Sequence, residues 1–306
     1  MTTSIILSTY NGERFLKEQL DSIRQQTLQP DNVIISDDCS TDSTVQIIKD
    51  YIKEFNLNNW TLIQNEKNLG WKINFYKLLQ TAKTDIIYLC DQDDIWHPKK
   101  LEIMTPYFEN SSINLLCCNQ KIEKSNLNFD FYTENSATPV QIKFSNKFFW
   151  PTRPGCTYAV RKTYFESIEN WWKDYLPHDA FLFRNAMLDD TLYFIHKDLI
   201  IRRIHEENTS IAKGQKRFLV NTNYYFDVCD LLLDRISKDD LITDKDNKIA
   251  IIIKGQQWIK TRENYYAAPS LFKFLKLIKF YDYYIRFRAF VKEIFIGFTY
   301  KKLNKR

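Results

Sequence analysis

The chain of 306 residues is 44% hydrophobic and 26% charged with a formal net charge of +5, enough for one sizeable core with an appendage or two modest domains, and too apolar for a disordered chain. That charge is uneven: residues 270–306 carry ten Lys or Arg against two acidic residues, a net of +8, which leaves −3 for the other 269. No apolar run approaches the roughly 20 residues that span a bilayer, and six cysteines without CxxC spacing support neither a zinc site nor a disulfide framework but suit reduced, packed thiols in the cytosol.

The opening MTTSIILSTYN lacks a basic n-region and a small-residue cleavage site, so the chain is expected to start at Met1 without a leader. Over the first 120 residues, short β-like runs alternate with helical periodicity. Strands are predicted at 4–9, 32–36, 60–64, 85–90 and 113–119, and helices near 14–26, 44–55, 73–81 and 98–108. Such alternation gives an α/β fold, a parallel sheet with helices on both faces. Asp42 or Ser43 is the expected N-cap of the second helix. From 121 to 138 the sequence is polar and Asn-rich without a sustained period, which predicts a long loop. A helix reaching Trp150, a break at PTRPG, a strand at 156–160, a helix opening at His178 or Asp179 and strand segments at 191–195 and 199–204 follow. Beyond 213 the pattern is helical, and there is no internal repeat.

In a parallel sheet, ligands bind outside the carboxyl ends of the strands. Here those ends read STYN, SDD, QNEKN and CDQDD, so four strands aim polar and acidic groups at one rim. Asp91, Asp93 and Asp94 repel one another and are costly to desolvate unless a cation compensates. Oxygen ligands without neighbouring His or Cys point to Mg²⁺ or Mn²⁺. The bland alternative is a solvated acidic turn ahead of the helix near Pro98, which is all that Asp94 need be. Asp37 and Asp38 could accept hydrogen bonds from a base or ribose, or form an Asx-turn. Tyr10 offers a ring for stacking, and Asn68 and Gly70 a turn or a close backbone approach. No GxxxxGK[ST] or GxGxxG occurs.

The stretches SIILSTYNGERFLKEQLDSIRQQT, VIISDDCSTDST, NEKNLG and DQDDIWHPKKL, in that order, resemble the inverting nucleotide-sugar glycosyltransferases of the GT-A class, glycosyltransferase family 2. The form DQDDIW looks most like bacterial polysaccharide rhamnosyltransferases. The resemblance implies a GT-A fold with a Rossmann-like, mostly parallel sheet and a C-terminal helical extension. It also implies a catalytic domain over 1–212, with a nucleotide-sugar and metal half to 120 and an acceptor half beyond, followed by a helical basic-aromatic region over 213–306.

Carried over residue by residue, Ser8, Thr9, Tyr10, Asp38, Asn68 and Gly70 fall at donor-binding positions, Asp91 at the donor and the metal, and Asp93 at the metal. PGCTYAVRK resembles the acceptor-side segment, giving Gly155, Cys156 and Thr157, with His178 beside them. LPHDAFL matches the place of the catalytic carboxylate, which makes Asp179 the base, against the bland alternative of a helix N-cap. IRRIHEENTS resembles a late Y-R-x-H segment in which Arg202 replaces the aromatic residue. His205 is then a metal or diphosphate contact, or an ordinary strand-end histidine.

Such chemistry needs a stabilised diphosphate leaving group and a general base for the attacking hydroxyl. No second carboxylate suits a covalent nucleophile, so single displacement with inversion is expected. The expected cofactor is Mn²⁺ or Mg²⁺, and the partners are a nucleotide-diphosphate sugar (dTDP-rhamnose or a UDP-sugar) and a glycan or glycolipid acceptor.

The tail over 270–306 interleaves aromatic residues with Lys and Arg, as an amphipathic segment on an anionic membrane surface would. Core helices with a solvated basic face are the alternative. Nothing resembles a nucleic-acid module. A cytoplasmic enzyme at the inner face of the membrane is expected. The competing functions are a catalytically silent nucleotide-sugar-binding or assembly subunit and a Mg²⁺-dependent nucleotidyltransferase or phosphohydrolase, whose first-strand Asp-x-Asp or Gly-rich basic loop LSTYN lacks.

Overall fold

The structure, a computed structural model, describes residues 1–123, 138–205, 222–284, 287–293 and 295. The chain divides into two compact units, residues 1–142 with 152–206 and residues 143–151 with 207–306.

Among the described residues the first unit is built on a nine-stranded sheet. Its strands are β1 (Thr3–Thr9), β2 (Asn32–Asp37), β3 (Trp60–Gln64), β4 (Ile86–Asp91), β5 (Ile95–Trp96), β6 (Leu115–Glu123), β7 (Val140–Gln141), β8 (Tyr158–Arg161) and β9 (Leu192–Arg203). They run in the order β3-β2-β1-β4-β8-β6-β9-β5, with β7 on β9. The helices are α1 (Leu16–Arg24), α2 (Thr44–Glu54), α3 (Trp71–Thr81), α4 (Lys100–Met104), α5 (Lys162–Ile168) and α6 (His178–Leu188). The four strands β3, β2, β1 and β4 pair in parallel. Ile5, Ile6 and Leu7 are all fully buried, as a strand covered on both faces requires, and this explains the unbroken apolar run.

Several expectations shift. The fifth predicted strand does not extend the parallel run: β8 inserts antiparallel between β4 and β6, and β6 pairs in parallel with β9. The two segments expected at 191–195 and 199–204 are one strand. The polar His196-Lys197-Asp198 between them reads as a break but lies at a bulge, where the register of β6 against β9 shifts around Asn119 and the Asn119 amide donates to Asp198. The helix predicted over 98–108 stops at Met104 and tightens into a 3₁₀ turn, Thr105–Glu109, with Pro106 at its start. The helix expected to reach Trp150 is only the 3₁₀ turn Asn146–Phe149. The loop expected from 121 begins as the end of β6; 124–137 lie outside the described residues. Ser43 is the N-cap residue of α2 but its hydroxyl makes no cap bond, and Asp42, one residue earlier, accepts from the Thr44 amide through Oδ1 at 3.0 Å.

The second unit contains α7 (Thr222–Lys238), α8 (Lys245–Ala267), α9 (Leu271–Leu275) and a 3₁₀ segment, Ile278–Tyr283. Its core is aromatic. Trp258 stacks on Tyr283 at 5.8 Å between centroids and meets Phe149 at 5.3 Å. Arg262 Nε donates to the fully buried Glu293 at 2.6 Å. Among the described residues no helix is long and apolar enough to cross a membrane.

Candidate active site

The strand registers bring the polar ends together. Thr9 lies opposite Asp37, Asp37 opposite Gln64, and Ser8 opposite Asp91, so β3, β2, β1 and β4 end at one rim of the first unit.

The two aspartates after β2 divide their work. Asp37 forms the Asx-turn: Oδ2 accepts from the Ser40 amide at 2.9 Å, and Oδ1 from the hydroxyls of Ser40 and Thr9 at 2.5 and 3.1 Å. Asp38, buried, holds the NEKNLG loop. Its Oδ1 accepts from Asn65 Nδ2 and the Leu69 amide at 2.9 and 2.8 Å, and its Oδ2 from the Gly70 amide at 2.8 Å. Three of the roughly four lone-pair sites of the carboxylate are thus used. Gly70 sits at φ 81°, a conformation that costs a glycine nothing, and Asn68 Oδ1 also accepts from its amide at 3.0 Å.

Three organising residues, Asn74, Gln92 and Lys100, escaped the sequence reading. Asn74 on α3, fully buried, donates to Ser8 Oγ at 2.8 Å and Ser36 O at 3.0 Å, and its Oδ1 accepts from Ser36 Oγ at 2.6 Å and Asn65 Nδ2 at 2.9 Å. It fixes the Ser8 hydroxyl and ties β1 and β2 to the loop that Asp38 holds. The available signal was a lone Asn on the helix face shared with Phe75, Leu78 and Leu79. Gln92 accepts from the Tyr10 amide and donates to the Tyr10 carbonyl, which leaves the Tyr10 ring exposed.

The acidic turn after β4 is only partly solvated. Asp94 is buried, with Oδ2 lacking a hydrogen-bond partner, so it is no surface cap. Burial, then the neighbouring charges of Asp91 and Asp93, push its carboxyl well up. Burial and the Asp93 charge likewise raise Asp91, with Asp179 adding to the repulsion and Arg202 opposing it. Asp179, from the second half of this unit, therefore faces the same cluster. Asp93 Oδ2 lies 2.7 Å from His205 Nε2, an approach made across 112 residues of sequence.

Among the described residues one cluster brings three candidate ligand atoms together, and a carboxylate–imidazole pair stands beside it. The ligand atoms of Asp91, Asp94 and Cys156 lie within 4.8 Å of one another. Burial and the Asp94 and Asp91 charges push the Cys156 thiol well up. Lys100 adds a buried ammonium on that side: its Nζ donates to the Cys156 carbonyl at 2.9 Å and lies 3.3 Å from the Trp96 ring centroid. Beside that cluster, the Asp93–His205 pair offers a hard oxygen and one imidazole, donor types that suit Mn²⁺.

On the other side, Pro177 is the N-cap of α6, and Asp179 stands in its first turn, with Oδ1 accepting from the Ala180 amide at 2.7 Å. It is not the helix cap. His178 is buried, stacked on Phe75 at 4.0 Å and edge-on to Trp71 at 5.6 Å, and burial lowers its pKa to about 4. Gly155 opens a 3₁₀ turn, Gly155–Thr157, against it; a Cβ there would fall 2.7 Å from His178 Nε2, so no other residue fits without displacement. Cys156 and Thr157 are buried behind that wall, with Thr157 Oγ1 donating to Pro154 O at 2.8 Å.

Residues 4–204 match the sequence model of the family described as Glycosyl transferase family 2. The dTDP-rhamnosyl transferase RfbG of Shigella flexneri is 28% identical over 261 residues, 78% of this chain and 87% of that protein. The poly(ribitol-phosphate) β-N-acetylglucosaminyltransferase TarS of Staphylococcus aureus is 29% identical over 123 residues, 40% of this chain and 21% of its own length. The crystal structure of S. aureus TarS residues 1–349 with UDP-GlcNAc superposes with a TM-score of 0.65 at 22% identity, over 91% of this chain and 79% of that one. The mannosyltransferase PcManGT of Pyrobaculum calidifontis, solved with GDP-Man and Mn²⁺, gives a TM-score of 0.56 at 14% identity, over 99% and 86%. At these identities the two structures speak for the fold.

Proposed function

The chain belongs to glycosyl transferase family 2 and is a glycosyltransferase, and from that premise we propose that it moves a sugar, with inversion, from a nucleotide-diphosphate donor to a hydroxyl of a growing, lipid-linked cell-surface polysaccharide at the cytoplasmic face of the membrane. The observation that carries this reading is the meeting of Asp93 and His205 at 2.7 Å on the strand-end rim, beside an Asp91 whose carboxyl burial and the Asp93 charge push up. The RfbG relative, a dTDP-rhamnosyl transferase similar along most of both chains, favours dTDP-rhamnose over a UDP-sugar as donor.

Each residue then has a task. The Tyr10 ring and the loop held by Asp38 face the nucleoside, with the remaining lone pair of Asp38 free for a base or ribose donor, and Ser8, fixed by Asn74, presents its hydroxyl to the same end. Asp93, His205 and Asp91 would hold Mn²⁺ or Mg²⁺, which supplies positive charge for the diphosphate leaving group. Asp179 takes the proton from the acceptor hydroxyl as its oxygen bonds to the anomeric carbon and the bond to the diphosphate oxygen breaks on the opposite face. Gly155 and His178 form the acceptor-side wall beside the base.

The deciding experiment is a thermal-shift screen of dTDP-, UDP- and GDP-sugars, each with Mn²⁺ or with EDTA. A donor at a hundred times its Kd stabilises the fold by about 2.7 kcal/mol. A shift with one nucleotide that vanishes in EDTA supports the reading and names the base. No shift with any donor favours the catalytically silent alternative.

A further inference from the structure

The tail of the second unit carries a pattern with a period of three. Along α9 and the 3₁₀ segment, Phe274, Leu277, Phe280 and Tyr283 are at most 6% exposed, whereas Phe272, Leu275, Ile278 and Tyr281 are 69, 50, 48 and 62% exposed. Lys273, Lys276 and Lys279 occupy the third set of positions. Amides of Leu277, Phe280 and Tyr284 bond three residues back, to Phe274, Leu277 and Tyr281. In this geometry residues three apart eclipse one another, so the segment presents three rows: one in the core, one apolar in solvent, one of lysines.

The outward row is not incidental. Of the sixteen exposed large hydrophobic side chains among the described residues, seven lie between Leu271 and Phe295, a concentration that marks an interaction surface. The charge beside it has one sign. Both acidic residues of 270–306 are engaged elsewhere, Asp282 with Lys254 at 3.2 Å and the fully buried Glu293 with Arg262 at 2.6 Å. Lys276 Nζ lies 4.8 Å over the Phe272 ring and Lys273 Nζ donates to the Asn264 carbonyl at 3.0 Å, so both ammonium groups sit against the ridge on long stems that can swing outward to an anionic surface. Arg288 and Lys292 are exposed on the following helical stretch, with Phe287 and Phe295.

We propose that this ridge docks on an anionic lipid surface, the Phe272-Leu275-Ile278-Tyr281 row entering the headgroup–acyl boundary and the lysine row meeting the lipid phosphates. The inner row anchors the segment in the unit, so the ridge is held ready rather than formed on contact. The proposal rests on the glycosyltransferase reading only for what the surface carries, a lipid-linked acceptor; docking itself is read without turnover.

The test is flotation of the full chain with phosphatidylcholine vesicles and with vesicles of phosphatidylcholine and phosphatidylglycerol, across a range of salt. Binding to the anionic vesicles alone, weakening as salt rises, is expected. Replacing the three lysines with Gln lowers the partition coefficient by on the order of a hundredfold. The triple variant Phe272→Ser, Leu275→Ser, Ile278→Ser abolishes flotation at every salt concentration, and Phe272→Asp serves as a second, milder variant should the triple variant unfold. Wild-type protein that stays at the bottom with anionic vesicles, or variants that float as it does, overturn the proposal. So does sedimentation showing a dimer that the apolar variants dissociate, which assigns the ridge to a second copy. A donor-induced thermal shift retained by the variants shows that they fold. Vesicle binding without any donor shift in the wild type would sink the transferase reading and leave this one standing.

Discussion

Gln92 clasps the backbone of Tyr10 with both ends of its amide, Oε1 accepting from the Tyr10 N–H at 2.8 Å and Nε2 donating to the Tyr10 carbonyl at 3.0 Å. The residue between Asp91 and Asp93 therefore sets the position of the ring proposed to meet the nucleobase. Gln92→Ala is expected to raise the donor KM about tenfold, because the Tyr10 loop loses two hydrogen bonds worth about 1 kcal/mol each and most of that ordering cost, about 1.4 kcal/mol, then falls on donor binding, with a smaller effect on kcat. Steady-state kinetics with donor varied will show it; an unchanged KM would mean that the Tyr10 loop holds its shape alone.

Asp93 and His205 meet at 2.7 Å, and both are assigned to the cation. Asp93→Ala and His205→Ala should each abolish the Mn²⁺-dependent part of donor binding, so that the variants with Mn²⁺ match the wild type in EDTA. Isothermal titration with and without metal measures this. A variant that keeps full metal-dependent affinity removes that residue from the ligand set.

Asp179→Asn preserves the shape at the start of α6 and removes the carboxylate proposed as the base. Donor affinity should stay within twofold while transfer falls by roughly 10²–10⁴, the usual contribution of a general base. Donor titration and acceptor turnover on the same sample separate the two. Equal losses in both would make Asp179 a binding residue.

His178 couples stability to pH. Burial lowers its pKa in the fold from 6.5 to about 4, so between these values the unfolded chain binds the extra proton and the fold loses stability as pH falls. From pH 7 to pH 5 the loss is about 2 kcal/mol. Unfolding free energies from urea titrations at the two pH values should differ by that amount in the wild type and by clearly less in His178→Gln. The same difference in both proteins would place the acid sensitivity on other groups.

Legibility followed the range of the interactions. The four parallel strands and their polar ends were readable because each apolar run passes directly into the residues that form the rim, and Asp91, Asp93 and Asp179 stood out as carboxylates at element ends. The two-residue β5 is too short to leave a period, and β9 was split in two because its bulge places polar residues mid-strand. Asn74, Gln92 and Lys100 were missed because each is defined by a distant partner: Asn74 binds a hydroxyl 66 residues away, Gln92 a backbone 82 away, and Lys100 a carbonyl 56 away. In a linear pattern, Lys100 beside Lys99 looks like any solvated pair, yet it is fully buried.

The helix α3 serves both ends of the site. Its buried Asn74 grips Ser8, Ser36 and Asn65 on the nucleotide side, while Trp71 and Phe75, on the same two turns, cradle His178 next to the base. Because one rigid rod carries both sets of contacts, the walls cannot be reshaped separately. A family member acquiring a new acceptor by changing residues packed against His178 would tilt the rod and disturb its grip on the donor end, so donor and acceptor preferences in such chains are expected to evolve as a linked pair.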